Sequence, residues 1–344
     1  MAAQVKFLDP QVMLSHGAGG KASRRLVEGL LVPLLGTGEL NRLEDAATVQ
    51  VGRSEVLVTT DSFVVHPLSF PGGSLGELAV NGTVNDLAVS GAEPLAITLA
   101  MILEAGLPTG DLQREVEAVG RAARAAGVEI VAGDTKVVEH GKADGIFMTT
   151  TGIGRLHPAA ELGAGRAQPG DKVLLSGAVG DHGITVMLER GELDLASDTL
   201  RSDTRSVWPY VKALLDAFGP QVKWMRDPTR GGLATTLNEF AHEARLKVML
   251  EESKIVVHAP VRGACEILGI DPLHIANEGQ FVAIVSAEVA EEAEKLLRSL
   301  PGGDEAAVVG TLEEAESGIV LCASPYGASR VIDMLTGDPL PRIC

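Results

Sequence analysis

The spacing of apolar residues changes period repeatedly along the chain and divides it into strand-like and helix-like segments. In the first half, short runs rich in Val, Leu, Ile and Thr predict strands at 55–60, 94–103, 128–133 and 145–154. Helical spacing predicts helices at 75–90 and 109–126. The second helix is expected to open on Thr109 as N-cap, with acids early, and to close at Gly127. A stretch rich in Gly, Ala and Pro at 157–170 interrupts the pattern and is the expected domain boundary.

The alternation then restarts. Strands are predicted at 171–176, 246–251, 281–286, 306–311 and 319–323, with helices at 183–190, 206–218, 231–244, 260–268 and 287–299. The mixture predicts an α/β (α+β) protein with domains at 1–157 and 170–335. The last segment, TGDPLPRIC at 336–344, carries Gly337, Pro339 and Pro341 and is expected to be a flexible tail. Extended, it would reach about 30 Å at roughly 3.3–3.6 Å per residue.

Composition narrows the function classes. With 344 residues, 45% of them hydrophobic and 22% charged, the chain is long enough for two domains with sizeable cores. Aromatics make up only 3%, so those cores must be built from Val, Leu, Ile and Ala. The formal net charge of −17 repels nucleic acid and anionic membrane, so neither is an expected partner. Three cysteines, Cys265, Cys322 and Cys344, form no disulfide framework and suit a reducing cytoplasm. No leader-like segment opens the sequence, and no apolar run of about 18 residues would span a membrane.

Four groups of residues could carry chemistry. Asp61 follows EVLVTT and Asp134 follows VEIVAG, where predicted strands leave a sheet; Asn85 and Asp86 interrupt an otherwise apolar helix, one turn after Asn81. Either aspartate alone reads as a turn former. Together with the Asn85–Asp86 pair they form a set of hard oxygen ligands suited to Mg2+ held against phosphates. Second, SHGAGGKASRRL joins a Gly-rich turn to a helix start with Lys21, Arg24 and Arg25. That arrangement could wrap phosphates or be a plain loop, and it lacks the GxxxxGK[ST] pattern. Third, DPTRGG at 227–232 reads as helix capping, and Glu278 of NEG sits on a loop before a strand as a candidate base. Fourth, Cys344 on a long tether could act as a covalent carrier that visits a cleft; an exposed thiol with no role, a lipidation site or an intermolecular disulfide is the alternative.

The stretches TTDSFVVHPLSFPGG, LAVNGTVNDLAVSGAEP, VAGDTKVV, DPTRGGLAT and the final PRIC resemble the HypE family of hydrogenase maturation factors. That family is grouped with aminoimidazole ribonucleotide synthetase, selenophosphate synthetase and thiamine monophosphate kinase, all ATP-binding. The resemblance covers nearly the whole chain, and PRIC is its most specific part. It implies a two-domain aminoimidazole ribonucleotide synthetase-like fold: N-terminal strands forming a homodimer interface, a C-terminal α/β sandwich, and a mobile tail. It implies carbamoylation of Cys344 by the carbamoyltransferase HypF. ATP-dependent dehydration to an S-cyanate follows, with delivery of cyanide to an iron-assembling HypC–HypD complex. It places Asp61, Asn85, Asp86, Gly133 and Asp134 near ATP and Mg2+, with Asp61, Asp86 and Asp134 on the metal, and makes Asp45 of LEDAA a further acidic position at the nucleotide. Lys136 of GDTK and Glu278 become candidates for substrate activation. Two other readings compete: a related enzyme acting on a free small molecule, such as a selenophosphate synthetase or thiamine monophosphate kinase, and a non-catalytic scaffold. A selenophosphate synthetase should carry a reactive cysteine and lysine near the N-terminus, and no cysteine precedes Cys265.

Overall fold

The computed structural model describes residues 6–17, 20–35, 43–51, 54–193, 199–335 and 342–344. Gly337, Pro339 and Pro341, on which the tail's expected flexibility rests, lie outside the described residues. Two short helices, α1 (Lys21–Leu26) and α2 (Val32–Leu35), are joined by a π-helical turn at Val27–Leu31. They precede a sheet built from β1 (Ala47–Val51), β2 (Ser54–Phe63), β5 (Ala92–Glu104), β6 (Glu129–Val138) and β7 (Ile146–Leu156). A small ribbon, β3 (Ser69–Phe70) with β4 (Gly73–Ser74), leads into helix α3 (Leu75–Val89). Helix α4 (Thr109–Ala126) joins β5 to β6, which run parallel, whereas the other pairs are antiparallel; the order is β1-β2-β7-β5-β6.

Helix α3 is apolar nearly all round, as a helix buried on every side should be. One side lies on β2, β5 and β7, and the other meets the second half of the chain. Gly82 permits the close approach to the sheet, since a Cβ there would come within 2.8 Å of the Phe63 ring.

The second half forms a sheet in the order β14-β13-β10-β12-β8-β11-β9. In chain order its elements are β8 (Lys172–Leu175), α5 (Asp181–Glu189), α6 (Trp208–Phe218), β9 (Val222–Arg226), α7 (Gly232–Ala244), β10 (Leu246–Glu251), α8 (Ala259–Leu268), β11 (Val282–Val285), α9 (Ala290–Ser299), β12 (Ala307–Glu314), β13 (Ile319–Ala323) and β14 (Ser329–Ile332). The runs KVLL and VAIV are buried on both faces. Val173, Leu175, Val282 and Ile284 pack with Leu233, Leu237 and Phe240 of α7, while Leu174, Ala283 and Val285 pack with Leu214 of α6 and Leu297 of α9. The strand period of two thus feeds two helical layers at once.

Three local expectations change. Asp61 does not follow its strand: β2 continues to Phe63, and Asp61 pairs with Thr150 of β7. Asp134 and Lys136 likewise lie inside β6, opposite Ala100 and Ile102 of β5. An aspartate suggests a turn, but in both places main-chain pairing with a long neighbour carries the ladder on. Thr109 is the first helical residue of α4, with Pro108 as its N-cap.

Candidate functional site

The site forms where α3 crosses β2 and meets two loops of the second half. Alternation along β2 turns Leu57, Thr59, Asp61 and Phe63 toward α3, and Leu57, Thr59 and Phe63 are buried there. Thr59 Oγ1 donates to Asp86 Oδ2 at 2.8 Å. From the second half, Asp227, Thr229 and Arg230 of the loop after β9 and Glu278 of the loop before β11 face the same space. Together with Phe63, Gly82 and Cys344, these residues line a cavity of about 50 Å³.

Both loops are held by main-chain hydrogen bonds. Asn277 Nδ2 donates to Pro228 O at 3.0 Å, which ties the Glu278 loop to the Asp227 loop, and its Oδ1 accepts Gly180 N–H at 2.7 Å, which ties it to the start of α5. Asn85 Nδ2 donates to Glu278 O (2.9 Å) and Arg205 O (3.0 Å), and its Oδ1 accepts Val207 N–H (2.8 Å). The Asn85 amide is therefore engaged in clamping the two halves together and does not face the cavity as a ligand. Behind Glu278, Asp203 Oδ1 accepts the Glu278 N–H at 3.0 Å. Gly279 sits so close to the Asp203 carbonyl that a Cβ would come within 1.7 Å of it.

Electrostatics set this cavity apart. Burial, then the charges of Asp61, Asp227 and Asp45, pushes the Asp86 carboxyl well above the usual carboxylate range. Burial also raises Asp61, partly offset by its hydrogen bond to Asp86 and by Arg230. Asp227 is pushed up to about 8 by burial and by Asp45 and Asp61, against the opposing charge of Arg226. Glu278 is raised well above its usual value by burial first, then by Asp227 and Asp203. Arg226 gives the cluster a flanking cation: its Nε donates to Asp45 Oδ2 and its Nη1 to Glu239 Oε2, both at 2.9 Å.

Crowded carboxylates at Asp61, Asp86 and Asp227 are a hard-oxygen donor set whose mutual repulsion a divalent cation would relieve. Among the described residues, no three His, Cys, Asp or Glu side chains stand in the geometry of a closed metal site. These carboxylates alone therefore do not complete a metal shell, and a cation such as Mg2+ held here would need waters and phosphate oxygens as its remaining ligands.

Cys344 and its neighbours are seated in the body. Ile343 is 3% exposed and joins the cluster of Phe63, Val65, Phe70 and Ile184. Val64 N–H donates to Cys344 O at 3.0 Å, and Arg342 pairs with Asp144 at 2.7 Å.

Other candidates lie elsewhere. Asp134 and Lys136 pair with each other, Nζ to Oδ2 at 2.7 Å, on the water-exposed edge strand β6, and Gly133 is beside them. Within one chain none of the three enters the cavity. Lys136 and then the Thr135 N–H hold the Asp134 carboxyl below its usual range. The basic residues of the Gly-rich segment are matched by carboxylates: Lys21 with Asp333 (2.6 Å), Arg24 with Glu28 (2.6 Å) and Arg25 with Asp9 (3.7 Å). Sequence reasoning passed over Asp227 and Arg230, which DPTRGG had offered only as capping, and Asp203. The signal available was two acidic loops preceding buried elements.

Known proteins place this architecture. The chain matches the family described as AIR synthase related protein, N-terminal domain over residues 43–156, and the corresponding C-terminal domain over 168–323. It is therefore a protein of the AIR synthase related class. Within that class it is 47% identical to the carbamoyl dehydratase HypE of Azotobacter vinelandii, with 97% of each chain covered. A solved HypE–HypF complex contains a chain with a TM-score of 0.85 at 41% identity, covering 90% of this chain and 99% of that one. A solved HypE in complex with ATP has a TM-score of 0.80 at 42% identity, covering 97% and 100%. The chain belongs to the HypE family of carbamoyl dehydratases. No helix among the described residues is long and apolar enough to cross a membrane.

Proposed function

We propose that this chain uses ATP to dehydrate an S-carbamoyl group carried on its own Cys344 to an S-cyanate, supplying cyanide for the iron centre of a [NiFe]-hydrogenase. The observation that carries this reading is the position of Cys344 in one small cavity with Asp61, Asp86, Asp227, Arg230 and Glu278. A scaffold would have no need to seat a thiol among carboxylates, and an enzyme for a free small molecule would not fill its site with its own cysteine.

The chemistry suits the groups present. Amide oxygen is a poor leaving group, so the carbamoyl oxygen first attacks the terminal phosphorus of ATP and ADP departs. Nitrogen then loses its protons, the C–O bond breaks, and phosphate leaves the S–C≡N group behind. Glu278 is the candidate base, since it lines the same cavity as Cys344 and burial raises its carboxyl above the usual range, which makes it a stronger proton acceptor than an exposed glutamate. Arg230 offers positive charge beside the departing oxygen. Asp61, Asp86 and Asp227 would hold Mg2+, which when bound neutralises phosphate charge. The cavity of about 480 Å³ lined by Gly20, Arg24, Leu43 and Arg226 is large enough to take the nucleoside.

Asp134, Lys136 and Gly133 then belong to the site of a second copy. Strand β6 ends the sheet with Ile130, Val131 and Val137 exposed, an edge that needs covering, and a homodimer through it would carry Asp134 and Lys136 across. In this scheme residues 1–157 supply Asp61 and Asp86 for the metal, nucleotide contacts and the dimer edge, residues 170–335 supply Asp227, Arg226, Arg230 and the base, and 336–344 deliver the cysteine. HypF would load the thiol and HypC–HypD receive the product, all in the cytoplasm.

Mass spectrometry of the peptide carrying Cys344 tests the proposal. With HypF, carbamoyl phosphate and ATP, that peptide should gain a carbamoyl group and then lose one water. Glu278→Gln should still accept the carbamoyl group but dehydrate it roughly 10²–10⁴-fold more slowly. Modification of Cys265 or Cys322 instead, or no water loss with ATP present, overturns the reading.

A further inference from the structure

A carrier thiol faces two opposed demands. It must leave its cleft to be loaded and return to react, so something has to seat it firmly without holding it permanently. The contacts around residues 342–344 show what does this. His182, on the first turn of α5, is fully buried, and its Nε2 stands 2.6 Å from Ile343 O. A carbonyl only accepts, so Nε2 carries the hydrogen. Burial, then the charge of Arg190, holds the His182 ring down to about 4, so at neutral pH it is uncharged with a single N–H. Its Nδ1 therefore accepts from Ser202 Oγ at 2.8 Å, and Ser202 in turn meets Thr204 Oγ1 at 2.6 Å and Thr204 N–H at 3.2 Å. The Phe70 ring packs edge-on against the imidazole, with centroids 5.5 Å apart.

Further contacts repeat the pattern. Arg190 donates to Arg342 O and to His66 O, and Val64 N–H donates to Cys344 O. Arg342 returns a hydrogen bond to Val64 O at 3.2 Å and pairs with Asp144. The hydrogen bonds from His182 Nε2, Arg190 Nη2 and Val64 N–H fall on the main-chain oxygens of Ile343, Arg342 and Cys344. The Ile343 side chain supplies the apolar anchor.

We propose that His182 is the positioning residue of a docking latch, which reads the Ile343 carbonyl and seats Cys344 in the cavity whatever group the thiol carries. This rests on the carrier role of Cys344. Because His182 bonds a backbone carbonyl, the free, carbamoylated and cyanated forms of the thiol dock through the same bond, and the direction of travel is set by the chemistry at the cavity and by the partners outside. The Ser202–Thr204 pair fixes the tautomer that makes the latch a donor.

The test uses the intact full-length protein and alkylation by iodoacetamide, read peptide by peptide, without ATP or any carbamoyl donor. His182→Phe keeps ring volume and the Phe70 contact but removes the donor, leaving the buried Ile343 carbonyl unpaired on docking. Cys344 alkylation should rise about tenfold or more. His182→Gln, whose Nε2 reaches the same place, should restore most of the protection. Cys265 and Cys322, buried with their thiols pushed up to about 11 by burial, report the fold and should stay unreactive. In turnover, His182→Phe should be loaded by HypF at least as fast as the wild type yet dehydrate more slowly by the factor seen in alkylation. A residue that only supports the fold would slow both half-reactions and unmask Cys265 and Cys322. If His182→Phe does unfold, Ile343→Ala, which leaves the body untouched, must raise Cys344 alkylation while His182→Gln does not. Wild-type alkylation of Cys344 in His182→Phe, or a Gln variant as unprotected as the Phe variant, overturns the latch. Because alkylation needs no nucleotide, the latch can fail while the dehydratase reading stands, and the reverse.

Discussion

Asp203 shows how a single carboxyl behind the site trades stability for chemistry. Its Oδ1 accepts the Glu278 N–H, while its buried Oδ2 has no hydrogen-bond partner among the described residues. Burial, opposed in part by its backbone hydrogen bonds, pushes it up to about 6 from an ordinary 3.8. Below the ordinary value both folded and unfolded chains hold the proton, and the group's contribution to stability is fully present. As pH rises toward about 6, the unfolded chain releases its proton while the folded chain keeps it, so stability falls and then levels off. The shift corresponds to roughly 3 kcal/mol at most. Asp203→Asn should therefore be more stable than the wild type at pH 7.5 by up to that amount, with the gain vanishing near pH 4, in paired thermal-unfolding series. The same change removes a negative charge that helps to raise Glu278, so dehydration should slow as stability rises. Equal stability of the two proteins across the range would mean that the carboxyl is better solvated than its surroundings indicate.

At the scale of elements, the site depends on α3 serving two layers at once. Asn85 is the joint: its three hydrogen bonds reach the Glu278 loop, Arg205 and the start of α6. Asn85→Ala leaves buried main-chain groups unpaired, at about 1–3 kcal/mol for the desolvation penalty. It should lower the melting temperature and loosen Glu278 together, whereas Asn85→Asp should restore only the bond to Val207 N–H, because a carboxylate accepts and cannot donate. Unaltered melting in Asn85→Ala would contradict the clamp. The same elements show what a sequence reading reaches. Helices and strands with a clear period, such as 246–251 and 319–323, matched their observed bounds because local pattern and packing agree. Short or polar strands escaped: Val222–Arg226 is held by β11, far along the chain, while Ala47–Val51 and Ser329–Ile332 are brief hairpin partners of β2 and β13 with little apolar pattern of their own. Asp61, Asp86, Glu278 and Cys344 were singled out from the residues, and the fold brings these four to one cavity. Glu278 was placed on a loop before a strand, and it is 3% exposed. Its burial comes from Asn85 and Asp203, more than 70 positions away, and no local pattern reports such contacts.

The whole molecule raises the question of where Lys136 acts. In one chain, Lys136 and Asp134 stand on the outer edge of the N-terminal sheet, paired with each other in water, where an exposed ion pair contributes little. The cavity lies elsewhere, between α3 and the second half, and Arg230 is the basic side chain in its own lining. The homodimer proposed through β6 would reconcile the two if each copy's edge strand faced its partner's cavity. Light scattering would establish the dimer but not the sharing. Mixed dimers address the sharing directly. Lys136→Ala and Asp86→Ala should each abolish dehydration alone, the first by loss of the cation and the second by loss of a ligand. If Lys136 acts across the interface, a heterodimer of the two variants holds both lesions in one site and none in the other. Random exchange makes half the dimers heterodimers, so about one site in four should work. If Lys136 acts within its own chain, or only balances Asp134 at the surface, the outcomes differ. Action within the chain leaves every site of the mixture dead, and a surface role leaves Lys136→Ala fully active on its own. Recovery of activity on mixing two inactive proteins would thus place the Lys136 that serves each site in the partner copy, as a cation beyond Arg230, with no structure of the dimer required.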